Sequence, residues 1–117
     1  MRAALGAAEL RAAHCAPAQP GDRLTDAEVA AQIAAATPAW RSSDQAIERA
    51  FQFADFRLTM AFVNAVAGVA DAEDHHPHLA VDYGRCLVRL NTHSAGGVTR
   101  NDFICAAKID VLPGATG

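Results

Sequence analysis

Four of the five histidines fall between His75 and His93, in a stretch that begins Asp71-Ala-Glu-Asp-His75-His76-Pro77-His78 and continues through Tyr83 and His93 to Asp102. Histidine is the side chain whose ordinary pKa lies nearest neutrality. A cluster of imidazoles edged by carboxylates can give and take protons on one bound molecule, which is general acid–base chemistry. A metal centre is the competing use of such residues. Neighbouring strand residues point to opposite faces, however, and no thiolate pair accompanies the histidines, so no metal site is expected.

Local signals define the elements that must position these groups. Leu24-Thr25-Asp26-Ala27-Glu28-Val29 carries a capping box on Thr25 and Glu28 and a staple between Leu24 and Val29. A helix is predicted from there to about Ala35, with Val29 and Ile33 inward and Pro38 beyond its end. Trp40 falls in a short extended segment, and Ser42-Ser43-Asp44 reads as a turn. Ile47 to Phe53 alternates as a half-buried strand, with Arg49 a blemish on its apolar side.

Asp55 can cap a long amphipathic helix whose stripe is Leu58, Phe62, Ala65, Val69 and Ala72, ending near Asp74. A hairpin follows, with Gly84-Arg85 as its turn. That register sets Tyr83 opposite Cys86, Val81 opposite Val88, His78 opposite Asn91 and His76 opposite His93. Opposed residues have Cβ atoms roughly 4.5–5.5 Å apart, so two distant histidines would share one ligand. His75 would sit at the helix–hairpin junction, one turn above Asp71. Thr99 caps a last helix with Asp102 in its first turn and Cys105, Ile109 and Leu112 inward, stopped by Pro113-Gly114. The order α-β-β-α-β-β-α predicts an α+β fold, a single four-stranded antiparallel sheet with helices packed on one face.

The chain has 117 residues, enough for one modest core, and its apolar fraction of 51% sets it apart from disordered chains. A net charge of −3 without a basic block argues against nucleic acid, and no apolar run is long enough for a membrane span. Met1 to Leu10 lacks the apolar bulk of a signal peptide, so a cytoplasmic location is expected. Three cysteines at wide spacing fit reduced thiols. Residues 1–23 read as an extension, partly helical over Ala3 to Ala13 or a loose arm, and residues 24–113 as the domain.

Taken together, Asp71, His75, His76, Pro77, Tyr83, His93 and Asp102 resemble the motif of the pterin-4a-carbinolamine dehydratases. Ala39-Trp40, Ile47 to Phe53, Asp55-Phe56 and the stretch from Thr92 to Asp102 fit as well, so the resemblance covers Leu24 to Leu112. It implies loss of water from a 4a-hydroxytetrahydropterin to give a quinonoid dihydropterin, recycling the cofactor of aromatic amino acid hydroxylases. It further implies a homodimer or homotetramer and no metal or organic cofactor. By resemblance, His75, His76 and His93 are the catalytic residues, with His75 and His93 in proton transfer and His76 in substrate binding. Asp71 would orient His75, though its side chain is shorter than the Glu common in the family. Asp102 would support the His93 side, and Thr92 and Asp102 would help bind the substrate. A non-catalytic or dual-function protein-binding or assembly module on the same fold is the alternative implied by some relatives.

Overall fold

The computed structural model describes residues 1–115. In chain order the main elements are helix α1 (Ala7–Ala12), helix α2 (Asp26–Ala36), strands β1 (Arg41–Ser43) and β2 (Ala46–Gln52), and helix α3 (Phe56–Glu73). Strands β3 (His78–Asp82) and β4 (Arg85–Leu90) and helix α4 (Arg100–Asp110) follow. Short 3-10 turns lie at Pro20–Asp22 and His93–Ala95. The sheet is antiparallel in the order β1-β2-β4-β3. One face is covered by helices, and that α+β arrangement matches the element order read from the sequence.

Two elements differ from the sequence reading near β1. Ser42 and Ser43 are strand residues, and the turn is Asp44-Gln45, with φ of 47° and 66°. Two consecutive left-handed residues make a tight hairpin whose twist matches the strands it joins. β2 is an interior strand, so Arg49 lies away from the sheet edges. It pairs with Asp110 at 2.8 Å and lies over the Phe51 ring at 4.4 Å, which neutralises and packs the charge within the helical layer. Asp110 also accepts a hydrogen bond from Trp40 Nε1 at 2.7 Å.

The core joins Ile47 and Phe51 of β2 and Cys86, Val88 and Leu90 of β4 to Phe62 and Val66 of α3 and Phe103, Ile104 and Ile109 of α4. The inward stripe of α3 is Thr59, Phe62, Val66, Ala70 and Glu73, one residue out of phase with the stripe read from the sequence. Leu58 is left exposed, and only Phe62 is common to both stripes' buried sets. Thr59 can face inward because its single hydroxyl hydrogen has two carbonyl acceptors in reach, Asp55 at 2.9 Å and Tyr83 at 2.8 Å. In α2, Val29 is buried, but so are Glu28 and Gln32. Glu28 accepts from the Arg2 backbone N–H, and Gln32 exchanges two hydrogen bonds with the Leu5 backbone. The first residues therefore form a packed arm, with α1 against α4.

The second hairpin carries the main correction. Asp82 lies opposite Arg85, Val81 opposite Cys86, Leu79 opposite Val88 and His78 opposite Arg89. The loop is thus Tyr83-Gly84, and the whole register is shifted by two residues from the one read from a Gly84-Arg85 turn. A shift of two preserves which residues share a face but changes every partner. Gly84 is held by contact rather than by a left-handed turn: a Cβ there would lie 2.7 Å from the Phe53 carbonyl oxygen. Phe53 N–H in turn donates to the Gly84 carbonyl at 2.8 Å.

Candidate active site

The end of α3 and the start of α4 build the site. Asp74 adopts φ 49°, ψ 44° and ends α3, while His75 N–H still donates to the Ala70 carbonyl at 3.1 Å. Aspartate tolerates this left-handed geometry better than most residues. The reversal takes His75 off the helical path, and its Nε2 reaches Asp102 Oδ1 at 2.6 Å. Asp102 is the third residue of α4 and is wholly buried.

Donors converge on this carboxylate. Thr99 caps α4 through its hydroxyl oxygen, which accepts from Asn101 N–H at 3.2 Å, while Thr99 N–H donates to Asp102 Oδ2 at 2.9 Å. The Thr92 hydroxyl donates to the same oxygen at 2.9 Å and lies 2.7 Å from the Thr99 hydroxyl. Because an ionised carboxylate only accepts, the Thr92 hydroxyl hydrogen points to Asp102, the Thr99 hydroxyl donates to the Thr92 oxygen, and His75 Nε2 must donate. The other ring nitrogen, Nδ1, is left for exchange with a ligand. The hydrogen bond to Asp102 raises the His75 pKa above its ordinary value of 6.5, against the opposing effect of burial.

Beside His75 lies a cavity of about 320 Å³. Cys15 to Ala18 of the arm form one wall, and Glu73, His75, Thr92 and Ser94 lie on the other side. Asn101 clasps Ala16 through its backbone, accepting from the N–H at 3.1 Å and donating to the carbonyl at 2.7 Å. Ser94 Oγ donates to the Ala18 carbonyl at 2.8 Å, and Cys15 N–H donates to Glu73 at 2.7 Å. Glu73 is also bound by Lys108 Nζ at 2.6 Å and His14 Nδ1 at 3.0 Å. Burial alone would push the Glu73 pKa up; Lys108, the Cys15 N–H and His14 outweigh it and hold the carboxyl at about 2.

Sequence reading missed this wall. The one available signal was Glu73 itself, three residues after Ala70 and seven after Val66 on the inward stripe. An acid in that phase requires buried partners.

Not every residue singled out in the sequence sits where expected. Asp71 approaches His76, at 3.4 Å in an exposed pair, and not His75. The left-handed Asp74 breaks the helical path that would have set His75 one turn above Asp71. Asp102 supports His75 and not the His93 side. His93 is exposed in the 3-10 turn that follows Thr92, and His76 precedes β3, so strand register does not set the two opposite each other. Asp102 has no exposed surface, and its carboxylate is in contact with His75, Thr92 and Thr99. Thr92 is likewise buried, its hydroxyl spent on Asp102. The structure therefore joins His75, Asp102 and Thr92 in one unit and leaves His76 and His93 on the surface.

A family model for pterin 4 alpha carbinolamine dehydratase matches residues 22–112. A protein of Xanthomonas campestris pv. campestris (strain 8004), described as a "Putative pterin-4-alpha-carbinolamine dehydratase", is 46% identical over 105 residues, 88% of this chain and 89% of its own. A likewise described protein of Stenotrophomonas maltophilia (strain K279a) is 46% identical, over 88% of this chain and 90% of its own. Among solved structures, a transcriptional coactivator/pterin dehydratase from Brucella melitensis superposes with a TM-score of 0.70 at 38% identity, covering 75% of this chain and 95% of that one. A pterin dehydratase-like protein identified as a RuBisCO assembly factor in the alpha-carboxysome shares the fold, with a TM-score of 0.54 at 19% identity over 65% of this chain and 88% of that one. The chain belongs to the pterin 4 alpha carbinolamine dehydratase family.

Proposed function

We propose that this protein removes water from 4a-hydroxytetrahydropterin to give quinonoid dihydropterin, recycling a tetrahydrobiopterin-type cofactor. Family membership motivates the substrate, and the buried His75–Asp102 pair beside a cavity carries the chemistry. Dehydration needs one proton delivered to the leaving C4a hydroxyl and one removed from a ring nitrogen. Neither step transfers electrons, so acid–base side chains suffice. Asp102 stabilises the imidazolium form of His75, which makes His75 the acid for the departing hydroxyl. His93, exposed beside the Thr92 turn, is the partner in proton transfer, and His76 contacts the pterin. Asp102 and Thr92 are positioning residues that fix the His75 tautomer, and Asp71 orients His76.

The test is turnover on freshly generated 4a-hydroxytetrahydropterin, followed by quinonoid dihydropterin absorbance. Removing a general acid typically costs about 10²–10⁴-fold, so His75→Ala should fall by that order and His93→Ala measurably. Unchanged turnover in either variant would sink its assignment.

The proposal includes a homodimer or homotetramer, a cytoplasmic location and a place beside an aromatic amino acid hydroxylase. Among the described residues, no helix is long and apolar enough to cross a membrane. A protein-binding or assembly role is the second reading, favoured by the coactivator description of the Brucella structure. A stoichiometric protein partner together with no pterin turnover would select it.

A further inference from the structure

The cysteines are widely spaced in sequence, yet two of them meet. Cys15 Sγ lies 3.7 Å from Cys105 Sγ, joining the arm to the middle of α4 across 90 residues of chain. The third, Cys86, is fully buried in β4. Cys15 is half-buried and lines the cavity beside His75, whereas Cys105 is 1% exposed. A small reagent entering the cavity therefore reaches Cys15 first.

We propose that Cys15 and Cys105 are a thiol pair that hydrogen peroxide converts into a reversible disulfide, sealing the arm to α4 along one wall of the His75 cavity. Closing the sulfurs to a bond of about 2.05 Å needs a shift of under about 2 Å. The arm can supply it, because what holds it at Cys15, Ala16 and Ala18 is hydrogen bonding to its backbone, plus one contact of Cys15 Sγ with the Asn101 carbonyl at 3.4 Å, rather than deep burial.

The two thiols are unequal. The hydrogen bond with Cys105 lowers the Cys15 pKa against the effect of burial, and the nearby positive charge of His75 adds to the lowering. Cys105 is pushed up by the same thiol contact and by burial. Cys15 is thus the attacking sulfur and Cys105 the resolving one. In the first step the Cys15 thiol loses its proton, the thiolate attacks one oxygen of hydrogen peroxide, the O–O bond breaks to give Cys15 sulfenic acid, and the departing hydroxide takes up that proton as water. In the second, Cys105 sulfur attacks Cys15 sulfur, the S–O bond breaks, and the Cys105 proton leaves with the hydroxide as water. The peroxide is reduced to two waters and the two thiols are oxidised to one disulfide.

The test treats the intact protein with hydrogen peroxide, alkylates it and maps it by mass spectrometry. It uses no pterin, so its outcome is independent of the proposed dehydration. The expected result is a fall in free thiols from three to one, with Cys86 the survivor and a Cys15–Cys105 peptide pair that dithiothreitol releases. Cys15→Ser, which leaves the core intact, should keep Cys105 reduced and form no intramolecular cross-link. Retention of three thiols after peroxide would overturn the proposal. So would irreversible oxidation of Cys15 with Cys105 still free, or a cross-link that persists in Cys15→Ser.

Discussion

Replacing Asp102 by Asn changes one charge in a site whose hydrogen-bond directions are fixed, so its effect can be worked through. The new side-chain oxygen can keep the Thr99 N–H and Thr92 O–H bonds, which lie on the same carboxylate oxygen. The new amide nitrogen must then face His75 Nε2 as a donor. Nε2 becomes an acceptor, the neutral ring carries its proton on Nδ1, and the imidazolium loses its counter-charge. A hydrogen bond to a charged group contributes about 1.5–3 kcal/mol, and one pKa unit corresponds to about 1.4 kcal/mol. The His75 pKa should therefore drop, because the charge that holds it up is gone. If His75 acts as the acid, loss of that interaction should lower turnover at neutral pH by about 10–100-fold, and the basic limb of the pH–rate profile should move to lower pH.

The same shift has a stability consequence with a defined sign. A histidine raised in the folded state stabilises fully below its unfolded pKa of about 6.5, and that stabilisation is lost as pH rises through the folded pKa. The deficit of Asp102→Asn against the parent should thus be largest on the acid side of 6.5 and should narrow above the parent's folded His75 pKa. Imidazole NMR titration reads both the midpoint and the protonated nitrogen. An unmoved His75 midpoint, with Nε2 still carrying the proton in the neutral ring, would refute the reasoning.

Glu73 gives the opposite sign: held at about 2, it stabilises above its ordinary 4.5, and that contribution is lost as pH falls toward 2. Glu73→Gln should flatten acid unfolding over that window, as followed by circular dichroism, and an unchanged acid limb would contradict the pairing with Lys108. Asn101→Ala removes two hydrogen bonds to Ala16 and should loosen the arm by about 1–2 kcal/mol, read as faster cleavage between residues 14 and 19 in limited proteolysis. Phe62→Ala should cost about 3–5 kcal/mol in urea unfolding, because the ring is 2% exposed between Phe51 and Phe53, at centroid distances of 4.5 and 5.1 Å. A loss under about 1 kcal/mol would mean that this cluster is not packed as described.

What was legible in the sequence was mostly what closes within one turn of chain. Thr25 with Glu28, Asp55 with Leu58, and Thr99 with Asp102 are contacts over three residues, and each marks its helix start correctly. The strand at Ile47 was readable from alternation, but the purpose of Arg49 was not, because Asp110 is 61 residues away. The hairpin turn was misplaced because its geometry is set from outside: Gly84 is required where the Phe53 carbonyl passes, and a glycine-first turn was the only local explanation. The α3 stripe slipped by one residue because alanines dilute its apolar contrast, while Thr59 and Glu73 are buried with partners from distant segments. The site shared that pattern. The family motif names His75 and Asp102, but their pairing depends on a left-handed Asp74 and on a helix 27 residues on.

The arm is held almost entirely by its main chain at the cavity: Glu73 takes the Cys15 N–H, Asn101 takes both polar atoms of Ala16, and Ser94 takes the Ala18 carbonyl. Amide groups are the same in nearly every residue, so the anchorage at Ala16 and Ala18 does not read side-chain identity, whereas Cys15 adds the contacts of its Sγ with the Asn101 carbonyl and Cys105. Size and polarity on the wall facing His75 can then be rewritten by substitution while the attachment stays in place. Grafting alternative tripeptides at positions 16 to 18, with Cys15 kept, is therefore a direct route to changing which molecules the cavity admits.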